Sequence, residues 1–132
     1  MAINILIVDD SSVMRAIIQK ALHLSGLEIG VIHQASNGRE GLEALERHWI
    51  DLIIADLNMP VMSGEEMIEQ MLGQPDLRAI PTIVISTGGS QTRIERLPHK
   101  KLRFIAKPFS PEMIRDAVKD VLRSEVFHER SR

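Results

Sequence analysis

Polar residues of a restricted kind follow the apolar runs of this sequence. Asp9-Asp10 follows "ILIV", Ala35-Ser36 closes the second run, Asp56 follows "LIIA", Ser86-Thr87 closes "PTIVI", and Lys107-Pro108 follows "FIA". Taken singly, each has an ordinary reading: a solvated Asp-Asp loop capping a helix, a turn aspartate, a satisfied strand terminus, a surface lysine. Taken together they place three carboxylates, a hydroxyl and an ammonium at equivalent points along the chain. Three carboxylates drawn to within about 4 to 6 Å repel one another by several kcal/mol per pair at an effective dielectric near 20. A hard divalent cation relieves that repulsion, and Mg²⁺ suits such a set because it takes oxygen ligands and keeps waters that a phosphate oxygen can replace. Lys107 offers a point charge for phosphate and Ser86 a hydrogen bond. An ionised aspartate can act as the nucleophile and form an acyl phosphate. The chemistry expected is therefore phosphoryl acceptance, with metal, lysine and hydroxyl stabilising the group in transfer.

Such a set converges only if the elements between the groups bring it together. Short β-rich runs alternate with longer helical stretches. Ile3 to Val8 is apolar on both faces and reads as a central strand of a parallel sheet. Ser12 is the expected N-cap of the helix that follows, with Val13, Ile17, Ala21 and Leu24 on its buried face and Gly26 at its exit. Ile29 to Gln34 alternates and contains Gly30, which suggests a more peripheral strand. Asn37-Gly38 carries turn chemistry, and Leu42, Leu45 and Trp49 follow at helical spacing. Leu52 to Ala55 is a third strand; Ser63 then caps a helix bearing Met67, Ile68, Met71 and Leu72. Pro81 to Ser86 is a fourth strand. A short helix over Gln91 to Leu97 is stopped by Pro98, and Leu102 to Ala106 is a fifth strand. Ser110 as N-cap, Pro111 at the first helical position and Glu112 in the first turn mark the last helix, whose stripe is Ile114, Ala117, Val121 and Leu122. The result is a (βα)5 α/β domain, doubly wound around a five-stranded parallel sheet. Such sheets bind ligands at the carboxyl ends of their strands, where all five polar groups fall.

Composition narrows the classes. With 132 residues the chain is read as one domain over 1–124 and a short tail over 125–132, where "HERSR" has no periodicity. The absence of cysteine excludes disulfides and thiolate metal sites and leads to an expectation of a cytoplasmic protein. No apolar run approaches the roughly 18 residues of a membrane span, and the N-terminus carries no signal-peptide pattern. A net charge of −2, with one Trp, three Phe and no Tyr, does not suggest a nucleic-acid binder or a base-stacking surface.

The segments "VDDSSVMR", "ASNGREGLEAL", "DLIIADLNMPVMSG", "PTIVIST" and "FIAKPF" extend through nearly the whole chain. In them the sequence resembles the receiver domains of two-component response regulators, especially the single-domain chemotaxis type. The resemblance implies a flavodoxin-like sheet of order 2-1-3-4-5 and a phosphorelay role. Asp56 would take a phosphoryl group from a sensor histidine kinase or phosphotransfer protein. Asp10, Asp56 and the main-chain carbonyl of Asn58 would ligate Mg²⁺, with Asp9 acting through metal-bound water. Lys107 would contact the phosphoryl oxygens, the peptide bond to Pro108 would be cis, and Ser86 with Phe104 would form the switch that turns a fourth-helix and fifth-strand surface toward a protein partner. Apart from accepting and slowly losing its own phosphoryl group, such a module is not an enzyme. The expected state is a monomer or weak dimer, with no nucleic-acid or membrane partner.

Several positions depart from the family's usual pattern. Ser86 stands for the commoner Thr, Thr87 for a small Ala or Gly, Ser63 for Asp, and Phe104 for the frequent Tyr. Thr87 tightens access to the phosphoryl group, while Asn58 and Gly88 flank the path of attacking water. Arg93, Arg96, Lys100, Lys101 and Arg103 form a basic cluster, read as a solvated face or as a dock for an acidic partner. The five histidines lack paired spacing for metal ligation, and the seven methionines read as core filler. Rival readings are a phosphorylation-independent scaffold, a receiver cut from a longer regulator, an FMN binder and a phosphatase. Asp9-Asp10 repels an FMN phosphate, and no second acid/base pair or cap supports hydrolysis.

Overall fold

Successive residues of the central strands bury on opposite faces of the sheet, and this alternation organises the core. The computed structural model describes residues 2–130. Its strands are β1 (Ile3–Val8), β2 (Ile29–Ala35), β3 (Leu52–Ala55), β4 (Thr82–Ser86) and β5 (Leu102–Ala106), all parallel and ordered β2-β1-β3-β4-β5. Its helices are α1 (Ser12–Leu24), α2 (Gly38–Arg47), α3 (Gly64–Leu72), α4 (Gln91–Glu95) and α5 (Pro111–Arg130). Ile5 and Ile7 join Leu52 and Ile54 under α1 and α5, where Ile18, Leu22, Ile114 and Val118 complete one core. Leu6, Val8 and Ile53 face the other way and meet Leu45, Met67 and Met71 of α2 and α3. A third, smaller cluster of Leu57, Ile68, Val84 and Ile94 attaches α4, with Phe104 packed against it.

The strand ends align because the register aligns them. Val8 lies opposite both Ala35 and Ala55, Ala55 opposite Val84, and Ser86 opposite Ala106, so the residues after each strand share one rim. Helix starts are fixed locally. Asn37 Oδ1 accepts from the N–H of Glu40 at 2.9 Å, and Ser110 Oγ from that of Met113 at 3.2 Å. Ser63 and Glu66 form a reciprocal capping box at the start of α3. Gly26, at φ 83°, takes the left-handed conformation that lets the chain leave α1.

Four local expectations are corrected. The N-cap of α1 is Ser11, not Ser12: its Oγ accepts from the Met14 N–H at 3.1 Å. The buried face of α1 is Ile18, Ala21 and Leu22, whereas Val13, Ile17 and Leu24 are exposed. α2 ends at Arg47, so Trp49 lies beyond it, 79% exposed, donating Nε1–H to Asp51 at 2.9 Å. α4 ends at Glu95, and a 3-10 turn over Gly88–Ser90 precedes it. α5 runs on to Arg130, through most of the stretch read as a tail over 125–132, while side chains beyond Arg123 and residues 131–132 lie outside the described residues. Among the described residues no helix is long and apolar enough to cross a membrane.

Candidate functional site

At the carboxyl end of β1 the chain is gripped from both sides. The Asp9 N–H donates to the Ala35 carbonyl at 3.0 Å, and the Asp56 N–H donates to that of Val8 at 2.9 Å. These bonds carry the sheet pairing one residue past the strands and hold Asp9 and Asp56 side by side. Asp9 is 2% exposed and Asp56 is also buried, while Asp10 reaches the same point from the exposed side of the loop. Carboxylate oxygens of Asp9, Asp10 and Asp56 all lie within 4.8 Å of one another.

Each carboxylate is only partly compensated. Asp9 Oδ1 accepts from the Ser11 N–H at 2.9 Å, and Asp56 Oδ1 from the Leu57 N–H at 2.8 Å. Lys107 Nζ stands 3.9 Å from Asp56 Oδ1. The Asp9 carboxyl is pushed above its ordinary range, first by burial and then by the charges of Asp56 and Asp10; the Ser11 N–H and Lys107 act against this. A buried acid raised by two like neighbours fits a divalent cation: the donors are hard oxygens, convergent and short of positive charge.

Lys107 and Ser86 are placed by the sheet edge. The Lys107 N–H donates to the Ser86 carbonyl at 2.8 Å, continuing the β4–β5 pairing past Ala106, and the Lys107-Pro108 peptide is cis. Ser86 is buried at the end of β4; Thr87 and Asn58 are exposed on the rim. Phe104 lies opposite Val84 on β5 and, with Ile94, Leu97 and His99, lines a cavity of about 320 Å³ between α4 and β5. The positions expected at the strand ends thus meet on one rim, and Phe104 lies beneath α4.

The loop after Asp56 is packed against it. A Cβ on Gly64 would come within 2.1 Å of the Asp56 carbonyl oxygen, so only glycine permits this approach, and the Gly64 N–H donates to the Leu57 carbonyl at 2.9 Å. In the same loop Val61 is held at φ 68°, a conformation that β-branched residues rarely adopt.

Sequence reasoning missed some contacts. Arg15 Nη1 donates to the Asp9 carbonyl, a contact with main chain that leaves no trace in sequence. His33 and His48 stack with ring centroids 3.9 Å apart, although nothing in their spacing pairs them. The basic cluster is partly neutralised internally, Arg93 by Glu65 at 2.8 Å and Arg103 by Asp120.

Residues 5–119 match the family described as response regulator receiver domain. A Helicobacter pylori protein described as chemotaxis protein CheY1 is 34% identical, the alignment covering 90% of this chain and 96% of that one. A Bacillus licheniformis protein-glutamate methylesterase/protein-glutamine glutaminase is 36% identical over 80% of this chain but only 29% of its own length. Among solved structures, the signal receiver domain of a signal transduction histidine kinase from Syntrophus aciditrophicus superposes with a TM-score of 0.80. It is 32% identical and covers 93% of this chain and 92% of that one.

Proposed function

The chain belongs to the response regulator receiver domain family, a family of signalling modules, and on that premise we propose that Asp56 accepts a phosphoryl group from a phosphohistidine. The donor is a sensor histidine kinase or a phosphotransfer protein. A carboxylate oxygen of Asp56 attacks phosphorus, the P–N bond breaks, and the imidazole nitrogen leaves with the bonding pair. The product is an acyl phosphate on Asp56.

The observation that carries this reading is the convergence of Asp9, Asp10 and Asp56 with Lys107 at 3.9 Å from the acceptor. Asp9, Asp10 and Asp56, with the carbonyl of Asn58, would hold Mg²⁺, which when bound supplies charge neutralisation for the incoming phosphoryl oxygens. Lys107 meets the negative charge gathering on those oxygens. Ser86, at the adjacent strand end, offers its hydroxyl to one of them, and Thr87 narrows the approach of water.

Phosphorylation adds charge and acceptors at the rim, and Ser86 turning toward them frees space beside Phe104. Phe104 packs on the cluster that holds α4, so its movement biases the α4–β5 surface toward the form that binds a partner protein. Coupling of about 1 to 3 kcal/mol suffices for such a switch. The test is exposure of the full chain to a small phosphodonor with Mg²⁺, read by intact mass. One phosphoryl group on wild type and none on Asp56→Asn is the expected result; an undiminished label on Asp56→Asn, or none on wild type, overturns the assignment.

A further inference from the structure

The side chain of Arg15 leaves α1 and turns back onto the loop that carries the acids. Its Nη1 donates to the main-chain carbonyl of Asp9, and its Nε donates to Oε1 of Gln34 on β2 at 2.9 Å. Gln34 in turn donates Nε2–H to Oε1 of Gln19, one turn further along α1, at 3.3 Å. The guanidinium is thus braced from the neighbouring strand and cannot swing without breaking that contact.

At Asp9 this holds the residue through its N–H, its side chain and its carbonyl. The N–H is used by the Ala35 carbonyl, Oδ1 by the Ser11 N–H, and the carbonyl by Arg15. Because the peptide unit is planar, fixing the Asp9 carbonyl fixes the plane joining Asp9 to Asp10 and the direction in which Asp10 leaves the chain. Asp10 is the exposed member of the acid cluster, held neither by the sheet nor by a core.

We infer that Arg15 is a positioning residue for the cation site, its fork on the Asp9 carbonyl and Gln34 holding the Asp9-Asp10 peptide so that both carboxylates meet Asp56. This rests on the reading of that cluster as a Mg²⁺ site. Charge alone argues the opposite sign: a guanidinium on the acids' own loop repels a cation, so if Arg15 were a bystander its removal would tighten binding. Geometry and charge therefore predict opposite outcomes for one substitution.

The test is calorimetric titration of the full chain with Mg²⁺ at fixed ionic strength, alongside urea unfolding in chelator. Arg15→Met is expected to weaken Mg²⁺ binding about tenfold, the scale of losing a group that orients a metal ligand. Arg15→Lys, which keeps the charge but not the fork, is expected to bind at least as weakly as Arg15→Met, because the repulsion stays while the fork is lost. Gln34→Ala, which removes only the brace, shows a smaller loss in the same direction. Equal or tighter binding by Arg15→Met, whatever its unfolding free energy, overturns the inference. Should Arg15→Met fail to fold, Gln34→Ala decides, and unchanged affinity there overturns it. If wild type itself takes up no Mg²⁺, the cation-site reading fails and the inference goes with it.

Discussion

Lys107 Nζ stands 3.9 Å from Asp56 Oδ1, too far for a hydrogen bond but close enough to exert its charge. The gap leaves the carboxylate of Asp56, the proposed acceptor, available and keeps the ammonium beside the position a phosphoryl group would take. Lys107→Met, which retains the stem and removes the charge, is expected to slow labelling of Asp56 by a small phosphodonor at least about tenfold. Mg²⁺ affinity in the same variant should be unchanged or tighter, since a competing positive charge is gone. Intact-mass time courses and calorimetry check the two halves separately.

Burial, reinforced by Asp56 and Asp10, raises the Asp9 carboxyl above its ordinary value of 3.8. The folded state holds that proton more tightly than the unfolded chain does. Asp9 therefore contributes stability that is fully present below about 3.8 and is lost as pH rises through the raised value. At pH 7 the ionised group is a net cost to the metal-free fold. Asp9→Asn is expected to raise Tm in chelator by about 3 °C and to shrink the upward Tm shift that Mg²⁺ gives wild type. Thermal melts with and without Mg²⁺, at pH 7 and at pH 4.5, read both effects; the chelator difference between the proteins should narrow at the lower pH.

Gly64 lies against the main chain of Asp56, the proposed acceptor. With the Asp56 carbonyl oxygen 2.1 Å from where a Cβ would sit, Gly64→Ala forces backbone to move on one side or the other. A loss of about 2 to 3 kcal/mol in urea unfolding is expected, with impaired labelling of Asp56 in the folded fraction. Wild-type stability would show that the loop is not seated on Asp56.

Val61 presents the reverse case. Its φ of 68° is costly for a β-branched residue, and its side chain is 69% exposed, so little apolar burial is at stake. Val61→Asn is expected to raise the unfolding free energy by about 1 kcal/mol, because Asn tolerates the left-handed region. The urea midpoint should rise with its slope unchanged.

The strand ends were legible in sequence because a central parallel strand reads as an unbroken apolar run. Leu52–Ala55 was expected with the bounds found, and with it the place of Asp56; Leu102–Ala106, an edge strand broken by Arg103, was also expected with its bounds, and with it the place of Lys107. α1 was harder. Ser12, Arg15, Gln19 and His23 share one polar face, but the apolar residues from Val13 to Leu24 cover about the whole opposite half of the helix, so spacing admits more than one stripe, and packing against α5 selects Ile18, Ala21 and Leu22. Trp49 sat at helical spacing, but α2 stops before it. The stack of His33 on His48 and the reach of Arg15 to a carbonyl depend on how β2 lies beside α1 and α2, which no local pattern encodes.

α4 has five residues, and Ile94 is its one buried side chain. Fully burying such a side chain stabilises by about 1.5 to 3 kcal/mol, the same order as the energy one ligand-driven event can redistribute. This corner of the molecule can therefore rearrange while both large cores stay intact, and its amides should exchange with solvent long before those of β1 or β3. If phosphorylation acts at the rim as proposed, its energy is spent on lifting one isoleucine, not on melting a domain.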